Sequence, residues 1–255
     1  MKKYIESILS VKLFLVVCLL TLFFFNFFDI TLFKLTRSFH GQIFSFFKNI
    51  VDPLSDIVDP FNILLVFFIN ILFLRSFTNL NKIPEKRLII LKRFNCSEIK
   101  IKNTIVYYKL VSYHVIFSII SSGVVCHILK YILGVSRPKY YFLHGYERFD
   151  FFNIEHKVNS MPSGHTQAAF TISILFLIYF RRYYIFVFCM AFLMGISRIF
   201  MSMHFPSDLI LGAYIGLLFP VVLHKIFFFD KLKLFNSNIL GLNSYFKLIL
   251  FRFFI

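Results

Sequence analysis

Residues Leu110–Cys126 read LVSYHVIFSIISSGVVC, and no Lys, Arg, Asp or Glu interrupts the chain between Lys109 and Lys130. A helix needs about 20 apolar residues to cross the hydrocarbon core of a bilayer. Inside that core the backbone polar groups must be paired within the segment, which favours a helix. The stretch therefore predicts a membrane-spanning α-helix and an all-α fold.

Five further runs have the same character, and they decide the class of the whole chain. Of the 255 residues 58% are hydrophobic and only 16% are charged, with 39 Phe and a mean hydropathy of +0.76. So few charges do not coat a soluble domain of this size, so the composition disfavours a water-soluble globule and favours a multispan membrane protein. We predict one polytopic helical bundle over residues 1–255, with six spans: Leu13–Phe28, Pro60–Leu74, Leu110–Leu129, Val158–Phe180, Tyr183–Ser197 and Leu209–His224.

The net charge of +16 follows the topology of these spans. With a cytoplasmic N-terminus, most Lys and Arg residues fall in inner segments, as the positive-inside rule requires. This distribution explains the basic character without nucleic acid, which we exclude as a partner. The start Met1-Lys2-Lys3 imitates a secretory signal, but the apolar run continues through Phe25 without a small-residue cleavage site, so we expect a retained first span. Both termini are predicted to be cytoplasmic.

Three segments outside the spans have their own character. Residues 75–109 are predicted to form a basic cytoplasmic loop, and residues 242–255 are apolar but too short to cross, which favours a segment lying on the inner surface. Gln42–Val51 is a possible interfacial helix. The four cysteines predict neither a disulfide framework nor a metal site.

Two cations stand at the end of the third predicted span, in Lys130-x6-Arg137-Pro138. Seven positions are about two helical turns, so both cations are predicted to point from one helix face, with Pro138 ending the helix. Two stacked cations bind an anion. The structural alternative is a pair of snorkelling side chains.

The second motif is Pro162-Ser163-Gly164-His165, at the start of the fourth span. Free backbone N–H groups and the helix dipole favour an anion there. Gly164 permits close approach, and His165 can exchange protons near neutral pH. Ser163 alone reads as an ordinary helix N-cap.

The third motif, Ser197-Arg198-x5-His204-x3-Asp208, joins the fifth and sixth spans. The helix is predicted to break near His204 and restart near Pro206, which puts Asp208 in a first turn from which it reaches the imidazole. A carboxylate that orients a histidine prepares it as nucleophile or base. A lone pair of this kind is also compatible with a structural role.

Topology brings the three motifs together. His165 and Ser197 are separated by 31 residues with Arg181-Arg182 near the middle, which predicts an apolar hairpin that crosses the membrane and returns. All three motifs then meet on the outer face. Three cations, a helix N-terminus and two histidines suit a phosphate monoester or a pyrophosphate.

The combined pattern, with its core at residues 130–208, resembles the type 2 phosphatidic acid phosphatase superfamily, the lipid phosphate phosphatases. Vanadium-dependent haloperoxidases share that phosphate site but are soluble. The resemblance implies that His204, oriented by Asp208, attacks phosphorus, and that His165 protonates the leaving oxygen and then activates water.

The resemblance also implies which groups hold the phosphoryl oxygens: Lys130, Arg137, Arg198, and the backbone at Ser163 and Gly164. It requires no metal and no other cofactor. The remaining histidines have no matching partner and are interpreted as structural: His40, His114, His127, His144, His156 and His224.

The sequence thus predicts a metal-independent lipid phosphatase of a bacterial inner membrane, with its site facing the periplasm and no obligate protein partner. Its substrate would be phosphatidylglycerophosphate, phosphatidate, an isoprenyl diphosphate or lipid A. Residues 139–161 are the segment in which headgroup selection would lie, and the structural alternative for them is an aromatic belt at the membrane surface. Two alternatives remain open: a lipid phosphotransferase using the same phosphohistidine, and a non-catalytic lipid-binding or transport protein.

Overall fold

The computed structural model describes residues 6–39, 41–57, 59–80, 83–180, 182–235 and 238–251. These residues form helices and short connections, with one isolated bridge between Val135 and Phe149 and no strand within the described ranges. The all-α prediction is confirmed. The helices are α1 (Val11–Ser38), α2 (42–57), α3 (Pro60–Leu80), α4 (Pro84–Phe94), α5 (Glu98–Leu133), α6 (Pro138–His144), α7 (Gly164–Tyr179), α8 (Tyr184–Phe200), α9 (Pro206–Lys233) and α10 (Leu242–Phe251).

Among the residues that the structure describes, four helical stretches are long and apolar enough to cross a membrane: Val11–Ser38, Gln42–Asn79, Glu98–Leu133 and Pro206–Lys233. The apolar helices α7 and α8 are shorter, at 16 and 17 residues. Each of the six predicted spans overlaps one of the helices α1, α3, α5, α7, α8 and α9. Several predicted basic positions and one histidine lie outside the described residues: Lys2, Lys3, His40, Lys82, Arg181 and Arg252.

Two predicted boundaries were wrong. The fourth span begins at Gly164 rather than Val158, because Pro162 precedes it and Ser163 caps its first turn. The third helix begins at Glu98, so residues 75–109 are not an irregular loop: they contain the end of α3, α4 and the first turns of α5. The polar residues of these helices led to the loop prediction. The helices also have an apolar face, on which Ile90 and Ile101 are fully buried.

The chain divides into two compact units, and the first comprises Met1–Asn62 and Ser118–Val222. The helices α7 and α8 of this unit pack against each other. The possible interfacial segment Gln42–Val51 belongs to α2 and packs on this pair, because Phe47 and Val51 are buried against residues of both helices. All the predicted site residues lie in this unit.

The second unit comprises Ile63–Phe117 and Leu223–Ile255. Tyr245 and Leu248 of α10 are buried in a core with residues of α3, α4 and α5. Tyr245 also stacks on Tyr108 at 3.6 Å between ring centroids and donates its hydroxyl to Asn70 Oδ1 at 2.6 Å. One face of α10 is therefore covered by protein, and its placement on the membrane surface stays a prediction.

Candidate active site

The two cations of the first motif do not share a helix face, which corrects the prediction. The helix α5 ends at Leu133, and Gly134 turns the chain with φ +54°. A Cβ at Gly134 would lie 1.7 Å from the Asp150 carbonyl oxygen, so only glycine fits this turn. Arg137 is extended and Pro138 begins α6 instead of ending the preceding helix.

Both cations nevertheless contact the loop between α6 and α7, and Arg137 also contacts the turn after α8. Lys130 Nζ donates to the Asn159 carbonyl oxygen at 2.9 Å, and the Arg137 backbone N–H donates to the Lys157 carbonyl oxygen at 3.0 Å. The Arg137 Nη1 lies 3.8 Å from Met203 Sδ. Burial lowers the pKa of the Arg137 guanidinium, and its Nε has no hydrogen-bond partner among the described residues. An anion at this position would satisfy it.

The second motif forms the N-terminus of α7, as predicted. Ser163 is the N-cap, and its Oγ accepts from the Thr166 N–H at 3.4 Å. The Ser163 N–H donates to the Asp208 carbonyl oxygen at 2.9 Å, which ties this helix start to α9. His165 is exposed, and Gly164 has no heavy atom closer than 4.0 Å to the position of a Cβ. The start of α7 is thus accessible at Gly164 and His165.

The helix that begins the third motif ends earlier than predicted, but Asp208 lies where the sequence analysis expected it. The helix α8 ends at Phe200 rather than near His204, and Ser202 turns the chain with φ +57°. The next helix starts at Pro206, so Asp208 lies in its first turn. The Nδ1 atom of His204 is 3.5 Å from Asp208 Oδ2.

Two further donors fix the Asp208 carboxylate. Ser160 Oγ donates to Asp208 Oδ2 at 2.5 Å and also lies 3.4 Å from His204 Nδ1. The Phe205 N–H donates to the same carboxylate oxygen at 2.7 Å. Because Nδ1 faces these oxygens, Nε2 is the imidazole nitrogen left for chemistry.

Residues from all three motifs influence His204 electrostatically. His204 lies in the turn between α8 and α9, and burial lowers its pKa well below the ordinary value of 6.5. The positive charges of Lys130, Arg137 and Arg198, together with His165, lower the pKa further. Burial and the neighbouring cations thus both favour the neutral form of the imidazole.

Arg198 has a partner that the sequence analysis missed. Its Nη1 donates to Asp52 Oδ1 at 2.6 Å, and its Nε has no hydrogen-bond partner among the described residues. Asp52 belongs to α2, 146 positions earlier in the chain. No local pattern links the two residues.

Three more residues at the site were missed: Ser160, Asp29 and Arg148. Ser160 carried no signal, because a loop serine is common. Asp29, next to the first predicted span, did carry one, since a carboxylate in an apolar helix requires a partner. That partner is Arg148, with which it forms an ion pair. No group of three or more His, Cys, Asp or Glu side chains is arranged for a metal ion in the described part of the chain.

Comparison with known sequences adds independent evidence. Residues 112–231 match the family described as the PAP2 superfamily. The lipid A 1-phosphatase of Rhizobium johnstonii is 28% identical over 123 residues, 48% of this chain and 50% of that protein. The lipid A 1-phosphatase of Rhizobium etli is 27% identical over 110 residues, 43% of this chain and 47% of that protein.

A third relative is the bacitracin transport permease protein BcrC of Bacillus licheniformis, 39% identical over 66 residues, 26% of this chain and 32% of that protein. The chain thus matches about half the length of the two lipid A 1-phosphatases and less of the permease. No solved structure matches it significantly. The matched segment 112–231 contains all three motifs in the geometry described above, and this match supports a member of the PAP2 superfamily.

Proposed function

We propose that this chain is an integral membrane phosphatase that hydrolyses a lipid phosphate or lipid pyrophosphate through a phosphohistidine on His204. The observation that carries the proposal is the Nδ1 contact of His204 with Asp208 at 3.5 Å, in a buried turn surrounded by three cations. A neutral imidazole oriented by a carboxylate is a nucleophile, and the cations match the charge of a phosphoryl group.

In the first step the Nε2 lone pair of His204 attacks phosphorus while the bond from phosphorus to the lipid oxygen breaks. The Nδ1–H stays directed at Asp208, whose carboxylate stabilises the positive charge that develops on the ring. His165 donates a proton to the leaving oxygen, so the lipid departs as an alcohol, or as a monophosphate if the substrate is a pyrophosphate.

In the second step water attacks the phosphohistidine, and His165 removes the proton from that water. The P–N bond breaks, its electron pair returns to His204 Nε2, and inorganic phosphate leaves. Arg137 and Arg198 suit the role of holding the phosphoryl oxygens, because the Nε of each is buried without a hydrogen-bond partner among the described residues. Lys130 and the N–H groups at Ser163 and Gly164 complete the predicted set.

The substrate class is proposed from the relatives. Two of them are named lipid A 1-phosphatases, so a phosphorylated lipid A is the first substrate to test. Phosphatidylglycerophosphate, phosphatidate and isoprenyl diphosphates remain in the test panel. The three relatives come from bacteria, and the positive-inside distribution supports a site at the periplasmic side of the inner membrane.

A transport role is the second candidate, because one relative is named a bacitracin transport permease. A binding or transport protein needs only the cations for a lipid phosphate. The buried contacts of His204 with Asp208 and Ser160 favour chemistry instead. A phosphotransferase would use the same first step and pass the phosphoryl group to a lipid hydroxyl.

The test is phosphate release by detergent-purified protein, in EDTA, from each lipid of the panel, with His204→Ala as the control. The cations and imidazoles supply the charge and proton transfer that the proposal needs, so we expect release in EDTA and none from the variant. Labelled phosphate transferred to an added acceptor lipid, with little free phosphate, would favour the transferase. No turnover of any lipid by folded protein would contradict the proposal and favour transport.

A further inference from the structure

Asp29 is a buried carboxylate that belongs to none of the three motifs. It lies in α1 and is 0% exposed. A charge within an apolar membrane helix is costly unless it is paired or has a function. Its partners therefore indicate what it does.

Asp29 binds the start of the helix that carries Asp208. Its Oδ1 accepts from the Ser207 N–H at 2.8 Å, and its Oδ2 accepts from the Ser207 hydroxyl at 2.6 Å. Ser207 is the second residue of α9 and the neighbour of Asp208. A carboxylate at this position satisfies a free N–H of the first turn and interacts favourably with the helix dipole.

Arg148 completes the arrangement from the loop between α6 and α7. Its Nη2 pairs with Asp29 Oδ2, and its guanidinium lies 3.6 Å from the centroid of the Phe205 ring. Phe205 follows His204 directly, and its backbone N–H is a donor to Asp208. The Arg148 side chain thus contacts Phe205 directly and is linked through Asp29 to Ser207, at the other end of the segment between His204 and Asp208.

The Arg148 guanidinium also reduces the electrostatic repulsion between two carboxylates, those of Asp29 and Asp208. Asp29 binds Ser207, the sequence neighbour of Asp208, and the two carboxylates would repel each other if both were ionised without compensation. Arg148 supplies one compensating charge, because its Nη2 pairs with the Asp29 carboxylate. Its carbonyl oxygen accepts from the Ser136 N–H at 3.2 Å, a backbone link that a side-chain replacement leaves in place.

We propose that Asp29 and Arg148 are a positioning pair that holds the turn 204–208 so that His204 Nε2 is aligned with the phosphorus atom. Neither residue touches the substrate. The inference rests on the proposed function, because it assigns a task within that reaction. It predicts a loss in the bond-forming step, with binding of phosphate by the cations unchanged.

The experiment compares Asp29→Asn, Arg148→Gln and the double variant with the wild type, in detergent. The readouts are the single-turnover rate constant for phosphate release with enzyme in excess, and the inhibition constant of vanadate. The rate constant at saturation does not depend on the fraction of active protein. Thermal unfolding identifies the variants that fold.

A misplacement of about 1 Å costs about 100-fold in rate, so we expect each single variant to lose about 10- to 100-fold. The vanadate inhibition constant should change by less than about threefold, and the double variant should lose little more than either single one, because the residues act as a unit. A milder variant, Ser207→Ala, removes only the hydroxyl contact with Asp29. Its matched control is Ser173→Ala, a fully buried serine of α7 that donates to the Ala169 carbonyl oxygen.

The outcomes separate this inference from the proposed function. If the wild type turns over and His204→Ala does not, while the folded Asp29 and Arg148 variants keep the wild-type rate constant, only the positioning role is overturned. Equal losses in rate and in vanadate binding would also overturn it, since they indicate a general disturbance of the site. If Asp29→Asn and Arg148→Gln do not fold, Ser207→Ala decides: a rate equal to that of Ser173→Ala overturns the inference. A wild type without turnover overturns both proposals.

Discussion

The Arg198 guanidinium is bound by a carboxylate before any substrate arrives, because its Nη1 donates to Asp52 Oδ1 at 2.6 Å. Asp52 is 28% exposed, whereas Arg198 is nearly buried. The carboxylate therefore approaches the cation from the more open side. If Arg198 binds a phosphoryl oxygen as proposed, the incoming anion meets the negative charge of Asp52 at the same place.

This relationship predicts that Asp52→Asn binds phosphate mimics more tightly. Removing one negative charge beside the binding cation relieves repulsion, and we expect the vanadate inhibition constant to fall about three- to tenfold. The measurement is competitive inhibition of phosphate release. Weaker vanadate binding in the variant would mean that Asp52 mainly orients Arg198.

A second prediction concerns Ser160, which donates to Asp208 and lies within 3.4 Å of His204 Nδ1. Ser160→Ala leaves a buried carboxylate oxygen without its side-chain donor, at a cost of about 1–3 kcal/mol. We expect kcat to fall about 10- to 100-fold with little change in KM, because the loss affects the nucleophile rather than the binding cations. Ser173→Ala, another fully buried serine, is the control and should keep wild-type kcat. An unchanged kcat in Ser160→Ala would contradict the assigned geometry.

A third prediction tests the contact between α9 and the second motif. A Cβ at Gly212 would lie 2.6 Å from the Ser163 carbonyl oxygen, and a backbone atom does not move away easily. We expect Gly212→Ala to destabilise the fold by about 1–3 kcal/mol and to reduce activity, because the N-terminus of α7 must shift.

The matched control for this replacement is Gly123→Ala. It is also a helical glycine, but a Cβ there would have no neighbour within 4 Å. Its melting temperature should equal or exceed that of the wild type, since Ala is the better helix former. Equal melting temperatures for the two variants would show that α9 does not approach Ser163 this closely.

The fourth prediction is a pH dependence of stability that comes from His204. Burial and nearby cations keep its pKa well below 6.5 in the folded protein, so below that pH the unfolded chain binds more protons than the folded one. Stability from this group is therefore complete above pH 6.5 and is lost as the pH falls. His204→Gln removes the titration, and its melting temperature should fall less than that of the wild type between pH 7 and pH 5.5. Parallel curves would exclude this contribution.

The sequence predicted those parts of the site that local rules control. Ser163 as N-cap and Asp208 in a first turn follow from proline and capping rules that act within a few residues. The prediction that Arg137 shares a helix face with Lys130 was wrong. The helix ends before Arg137 because the chain turns at Gly134 against the Asp150 carbonyl oxygen, which lies outside the local sequence pattern.

Local sequence rules do not predict contacts between residues that are far apart in the chain. Asp29 contacts Ser207 across 178 positions, and no spacing or periodicity connects them. The start of α5 at Glu98 was missed for another reason: its first turns alternate basic and apolar residues, so a search for charge-free runs ended the span at Leu110. In both cases tertiary packing supplied information that local patterns lack.

The central claim is that His204 Nε2 accepts the phosphoryl group, and trapping that intermediate tests it most directly. Purified protein is mixed with a lipid A labelled in its phosphate, quenched in denaturant, digested and searched for labelled peptides. We predict an acid-labile, alkali-stable label on His204, absent from His204→Ala and reduced by vanadate. Turnover without any label on His204, or a label of the same kind in His204→Ala, would contradict the account.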